Sequence, residues 1–193
     1  MNKFDIVRQS RKKFDSRGKS LNGEIMPKKL PSRLKDKKFA DMVQIDPTIP
    51  KYKCPIIVSG PDDYYDEEII AGELSSYIDF YWSNGYKNKD ICIVTSGRPG
   101  AEIVAEKVAK DFGINIVRII PEYKKLGRRI AGKVCQYQMC KYVFASIKNK
   151  KMGFMLIFWD GRSQRLRHFI DVGNEFKLNK RIINVKRAST YFS

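Results

Sequence analysis

The stretch Met155-Leu156-Ile157-Phe158-Trp159-Asp160-Gly161-Arg162-Ser163, followed by Gln164-Arg165-Leu166-Arg167-His168-Phe169-Ile170-Asp171, decides how this 193-residue chain is read. An apolar run of strand length halts at Trp159-Asp160-Gly161, and Leu166, Phe169 and Ile170 then recur at helical spacing. The pattern predicts a strand, a tight turn and a helix. In parallel α/β folds such a junction lies at the carboxyl edge of the sheet, where the NH groups of helix N-termini favour anions. Arg162, Arg165 and Arg167 sit at this one.

Upstream the same alternation repeats. Cys54-Pro55-Ile56-Ile57-Val58-Ser59-Gly60 reads as strand one, with Pro55 tolerable only among its first residues. Residues 66–84 then place Ile70, Leu74, Tyr77, Ile78 and Tyr81 on one helical face, with Asp66, Glu67 and Glu68 where the macrodipole favours acids and Gly85 as the stop. Ile91 to Val94 is strand two, and a glycine-containing loop, Thr95-Ser96-Gly97-Arg98-Pro99-Gly100, leads into a helix over 101–112. Residues 114–120 form strand three, supported by their β-branched content. A helix over 131–147 buries Cys135, Met139, Val143 and Ile147; strand four covers 152–159, and strand five 181–185. The expectation is a Rossmann-like three-layer α/β domain over 53–187 with a mostly parallel sheet of about five strands, and a loose tail at 188–193.

Residues 1–52 read differently. Fifteen basic residues against six acidic ones, +9 over residues 1–53, and Gly18, Gly23, Pro27, Pro31, Pro47 and Pro50 make this a basic, largely irregular N-terminal arm. Helical stretches at 6–14 and 32–43 lack an apolar face broad enough to fold alone. One reading is a solvated tail; the other is an arm that orders on nucleic acid or on a protein partner.

Thirty-eight Lys and Arg against 21 Asp and Glu give +17, a field that favours an anionic partner. No apolar run is long enough for a membrane span, and the first residues have no secretory apolar core, so a cytoplasmic protein with no membrane partner is expected. Cys54, Cys92, Cys135 and Cys140 have no C-x-x-C spacing, and His168 is the single histidine, so neither a metal site nor a cofactor is expected. Cys54 and Cys92 read as buried thiols. Residues 123–151 carry Lys124, Lys125, Arg128, Arg129, Lys133, Lys141, Lys148, Lys150 and Lys151 and no acid. That run reads as a phosphate-gripping surface, with a merely solvated helix face as the competing reading.

The ordered motifs Ile-Val-Ser-Gly-Pro-Asp-Asp-Tyr (57–64), Thr-Ser-Gly-Arg-Pro-Gly-Ala-Glu (95–102), Gly-Arg-Arg-Ile-Ala-Gly-Lys-Val (127–134) and Phe-Trp-Asp-Gly-Arg-Ser (158–163) resemble the YspA-related branch of the SLOG superfamily. The resemblance spans about 55–185. It implies a Rossmann-type domain that binds nucleotides or nucleotide-derived ligands at its carboxyl edge; relatives include cytokinin-activating phosphoribohydrolases and the DNA-processing protein DprA. This chain departs from the family pattern at several positions. Gly60-Pro61-Asp62-Asp63 lacks the arginine of Gly-Ser-Arg-Asp. Arg98 is displaced by one position in its loop. Val134-Cys135-Gln136 stands for Ile-Arg-Asn, and Arg165-Leu166 for Gly-Thr.

Three functions compete. The first is binding of a nucleotide or other phosphorylated small molecule: Gly60, Gly97, Gly100 and Gly161 let backbone NH groups approach phosphates, Arg98, Arg162 and Arg165 supply charge, Trp159 packs on a base or ribose, and Asp62, Glu102, Asp160 and Ser163 complete the loops. Against this, the glycines serve tight turns, Trp159 is a core residue and Asp160 caps its own turn. The second is a nucleic-acid-binding or nucleoprotein-assembly protein using the arm and Lys124, Lys125, Arg128, Arg129 and Lys133. The third is a nucleotide-processing hydrolase. Glu102 and Asp160 are its candidate carboxylates, yet a surface or capping role suits Glu102 better, His168 reads as a packing residue, and no nucleophile with a positioned base is visible. Binding is therefore expected ahead of catalysis, and self-association is left open.

Overall fold

A computed structural model describes residues 31–147 and 152–185. The expected helix at 6–14, most of the basic arm, Lys148, Lys150, Lys151 and the tail at 188–193 lie outside the described residues. Five parallel strands, β1 (Cys54–Ser59), β2 (Ile91–Thr95), β3 (Asn115–Arg118), β4 (Phe154–Trp159) and β5 (Asn179–Asn184), form one sheet in the order β3-β2-β1-β4-β5. The sheet is all-parallel rather than mostly so. Its central strands are buried on both faces, which is why they are written as continuous apolar runs rather than as alternating ones.

Alternation along each strand feeds two cores. Ile57, Cys92, Val94, Met155 and Ile157 point to one side. Ile56, Val58, Ile91, Ile93, Leu156 and Phe158 point to the other. The second side is covered by α2 (Glu67–Ser83) and α3 (Ala101–Asp111). Asp66 caps α2 by accepting from the Ile69 amide at 3.1 Å, and Tyr81 ties it to the segment leading into β4 by donating to the Met152 carbonyl at 2.7 Å.

The first side is covered by α4 (Tyr123–Ser146), α5 (Gln164–Glu175) and a strap from the N-terminal stretch. The helix expected from residue 131 begins eight residues earlier, at Tyr123, and breaks at Gly127 (φ 72°, ψ 161°). Only Leu126 of the extra turn is apolar and partly buried, so periodicity has nothing there to register. Strand five likewise starts two residues early, because Asn179 and Lys180 pair with Phe154 and Met155 through the backbone.

In the strap, a 3-10 turn (Ser32–Lys35) leads into α1 (Lys37–Met42), and Leu34 and Val43 are buried with Phe39, Met42, Ile45, Ile49 and Tyr52 packed beside them. Helix α4 supplies the anchor points. Gln138 Nε2 donates to the Gln44 carbonyl (2.8 Å), Lys141 Nζ to that of Val43 (3.0 Å) and the Tyr142 hydroxyl to that of Pro50 (2.7 Å). The Arg33 guanidinium lies over the rings of Phe39 and Tyr137, 4.9 and 5.9 Å from their centroids. The stretch does not fold on a face of its own; it borrows one from α4.

Two glycines of the carboxyl-edge loops are required by packing. A Cβ on Gly100 (φ 76°) would lie 2.2 Å from the Pro61 carbonyl oxygen, and one on Gly60 would lie 2.6 Å from the Ala101 Cβ. Gly161 (φ 75°) has open space around it. Gly100→Ala should therefore cost ~3 kcal/mol or more, through clash plus strain, whereas Gly161→Ala should cost about 1 kcal/mol from the left-handed backbone alone. Urea denaturation of the two variants checks the difference.

Candidate functional site

In the order β3-β2-β1-β4-β5 the winding reverses between β1 and β4, so the crevice beyond their carboxyl ends is where a ligand of an open α/β sheet is expected. Three loops meet there: 60–66 after β1, 96–100 after β2 and 160–163 after β4. The structure brings Ser59, Gly60, Asp62, Arg98, Glu102 and Arg165 into one hydrogen-bonded cluster.

Glu102 is its buried centre, 1% exposed on the first turn of α3. Its Oε1 accepts from Ser59 Oγ (2.8 Å), and its Oε2 accepts from the Ser96 amide (2.8 Å), Ser96 Oγ (2.8 Å) and the Arg98 amide (3.3 Å). Arg165 Nη1 stands 3.9 Å from Oε1. Of the surface or capping role expected for Glu102, burial removes the surface half: the loop after β2 curls its NH groups around this carboxylate just before α3 begins.

The two arginines converge from opposite sides. Arg98 Nε donates to Asp62 Oδ1 at 2.9 Å, its Nη2 donates to Oδ2, and its Nη1 reaches the Tyr123 hydroxyl at 3.3 Å. Arg165 donates through Nη1 to Ser59 Oγ (3.2 Å) and through Nη2 to the Gly60 carbonyl (2.5 Å) and Asp62 Oδ1 (3.3 Å). Hydrogen bonds from Arg98 to Asp62 hold the Arg98 guanidinium more firmly protonated than usual. Burial and the neighbouring Arg98 charge push Arg165 the other way, so positive charge is crowded at this point. The cavity left among Ser59, Ser96, Arg98, Tyr123, Gln136 and Arg165 measures about 20 Å³, room for about one water.

The remaining predicted residues sit around this cluster. Asp160 is the turn residue: its Oδ1 accepts from the amides of Arg162 (3.0 Å) and Ser163 (2.8 Å). Ser163 caps α5 by accepting from the Leu166 amide at 3.4 Å. Gly161 and Arg162 are exposed, while Gly97 (φ 74°) is half-buried with only the Arg118 side chain near its Cβ position. Trp159 packs against the core beneath α4 and α5, and its indole NH is shielded from solvent without a partner among the described residues. His168 is half-buried, its Nδ1 2.5 Å from Gln136 Oε1, and burial with the nearby Lys133 and Arg33 charges lowers its pKa. Lys124, Lys125, Arg128, Arg129 and Lys133 are all exposed on α4, with Lys125 3.2 Å from Glu122.

Ser59, Ser96, Tyr123 and Gln136 were not singled out from the sequence. Ser59 closes β1 and Ser96 follows the last residue of β2, and a small hydroxyl at the end of a strand is the signal that marks them. Gln136 is a buried polar residue among apolar ones whose Nε2 donates to the Arg165 carbonyl at 3.0 Å, which fixes the first turn of α5. Cys135 borders the cavity, but its thiol donates to the Ile119 carbonyl and burial pushes its pKa up to about 12, so it offers no thiolate. Among the described residues no cluster of His, Cys, Asp and Glu is suited to a metal, and no helix is long and apolar enough to cross a membrane. Comparison with family models, curated proteins and solved structures finds no match in any of the three.

Glu102→Ala leaves two loop amides and two hydroxyls without their acceptor and should cost about 3–5 kcal/mol, read by urea denaturation. A loss below about 1 kcal/mol would show that the loops hold their shape without it.

Proposed function

We propose that this chain binds a nucleotide or nucleotide-derived phosphorylated ligand at the carboxyl edge of its sheet, as a SLOG-like domain of the cytoplasm. The observation that carries the reading is the convergence of Arg98 and Arg165 on one partly exposed point at the reversal between β1 and β4. Two guanidinium forks aimed together recognise phosphate oxygens through charge-assisted hydrogen bonds. The order of loop motifs in the sequence supports the same assignment. Binding rather than catalysis follows from Glu102, whose two oxygens are both engaged by the loops they organise. Calorimetric titration with a nucleotide panel should find at least one ligand for the wild type, and Arg98→Ala should weaken it by at least about tenfold, the loss of a charged hydrogen-bond pair. Absence of binding across the panel would end this reading.

A second reading, nucleic-acid binding, is favoured by the exposed cations of α4 beside Tyr123, which is 43% exposed. Exposed Lys124, with Arg128, Arg129 and Lys133 beyond the break at Gly127, suits a phosphate backbone. In that case the affinity for single- or double-stranded DNA should fall steeply between 50 and 200 mM salt, by about 10³-fold or more if six phosphates are contacted, and should drop with Lys124→Ala/Arg128→Ala. Salt-insensitive binding would count against it.

A further inference from the structure

Two carboxylates face the paired arginines, and they are held very differently. Glu102 is 1% exposed and accepts from two amides and two hydroxyls, so it is a permanent part of the loops. The side chain of Asp62 is 42% exposed, on a loop without regular structure, and it bridges both guanidiniums: Oδ1 accepts from Arg98 Nε and Arg165 Nη2, and Oδ2 from Arg98 Nη2. The backbone beneath it is fixed. The Pro61 carbonyl accepts from the Tyr64 and Ala101 amides, and the backbone at Gly100 lies against that of Pro61 and Asp62 with no room for a side chain between them. Rotation of the Asp62 side chain toward solvent thus frees three guanidinium NH groups without shifting the loop.

We infer that Asp62 is a built-in competitor: its carboxylate occupies the seat of a ligand phosphate, and the anion that replaces it is a terminal phosphate with three free oxygens. This rests on the proposed phosphate-binding reading and specifies how that site is guarded. The charge and oxygen count decide the ligand class. A carboxylate brings one charge and two oxygens, whereas a phosphate monoester at neutral pH brings about −1.5 to −2 and three strong acceptor oxygens. A phosphodiester has one charge and two free oxygens, no more than Asp62 offers, and must compete with a carboxylate tethered at high effective concentration. The seat therefore selects monoesters against the diester backbone of nucleic acid.

The test is a 1H–15N NMR titration of the full-length chain, following the arginine Nε resonances. Methyl phosphate, dimethyl phosphate and inorganic phosphate are the probes, and the proteins are wild type, Asp62→Asn and Asp63→Asn. Asp63 is the exposed neighbour on the same loop and controls for the loss of one charge. Methyl and inorganic phosphate should bind D62N about tenfold more tightly than wild type, since one negative charge close to the ligand is removed. D63N should match wild type, and dimethyl phosphate should bind none of them. A preference for methyl over inorganic phosphate would point to an esterified ligand as the natural occupant; the reverse would point to free phosphate. Equal affinities for wild type and D62N, an equal gain in D63N, or binding of dimethyl phosphate at the same arginines would overturn the inference. If nucleotides bind wild type and D62N alike, this inference falls and the proposed function stands; if neither protein binds any phosphate probe or nucleotide, both fall.

Discussion

A single carboxylate, that of Glu102, ties the carboxyl edge together. It joins the end of β1 through Ser59, the loop after β2 through Ser96 and the Arg98 amide, and approaches α5 through Arg165. A buried charge is tolerated only when its acceptor capacity is filled and a countercharge is near, and both conditions hold here. Because Glu102 stands on the first turn of α3, its bonds also set how that helix meets the sheet, which in turn forces Gly60 and Gly100 to be glycine. The position of Arg98, and with it the pairing to Asp62, is a consequence of the same curl.

The arrangement separates the two uses of charge in this chain. At the crevice the charges are matched, two arginines against two carboxylates, within a few ångströms of each other. On α4, by contrast, Lys124, Arg128, Arg129 and Lys133 are exposed, with no ion pair to an acid among the described residues. The paired charges of the crevice cancel, so the overall +17 arises elsewhere in the sequence. A long-range field draws anions toward the molecule, but the crevice discriminates among them through geometry and through the carboxylate that already sits there.

Much of the fold was legible in the sequence, and for identifiable reasons. Strands buried on both faces must be apolar throughout, so β1, β2 and β4 are visible as runs. The helix α2 shows its face as Ile70, Leu74, Tyr77, Ile78 and Tyr81. The first turn of α4 was invisible because it buries little, and the role of residues 32–52 because their apolar residues are spaced for the surface of α4 rather than for each other. At the site, residue types and loop order were readable, whereas the pairing was not. Glu102 read as a surface or capping residue because acids seldom lie buried, and nothing local shows that Ser59, 43 positions away, will donate to it.

The sequence by itself determined that this is an α/β chain whose glycine- and arginine-bearing loops follow strands, since hydrophobic period and turn residues are local properties. Only the tertiary structure decided what those loops do to one another. Hydrogen bonds among Asp62, Arg98, Glu102 and Arg165 connect residues up to 103 positions apart, and their energy depends on burial and distance, neither of which is written in any one segment. Arg165, which in sequence is one of three arginines after a strand, reaches in three dimensions across to the end of β1.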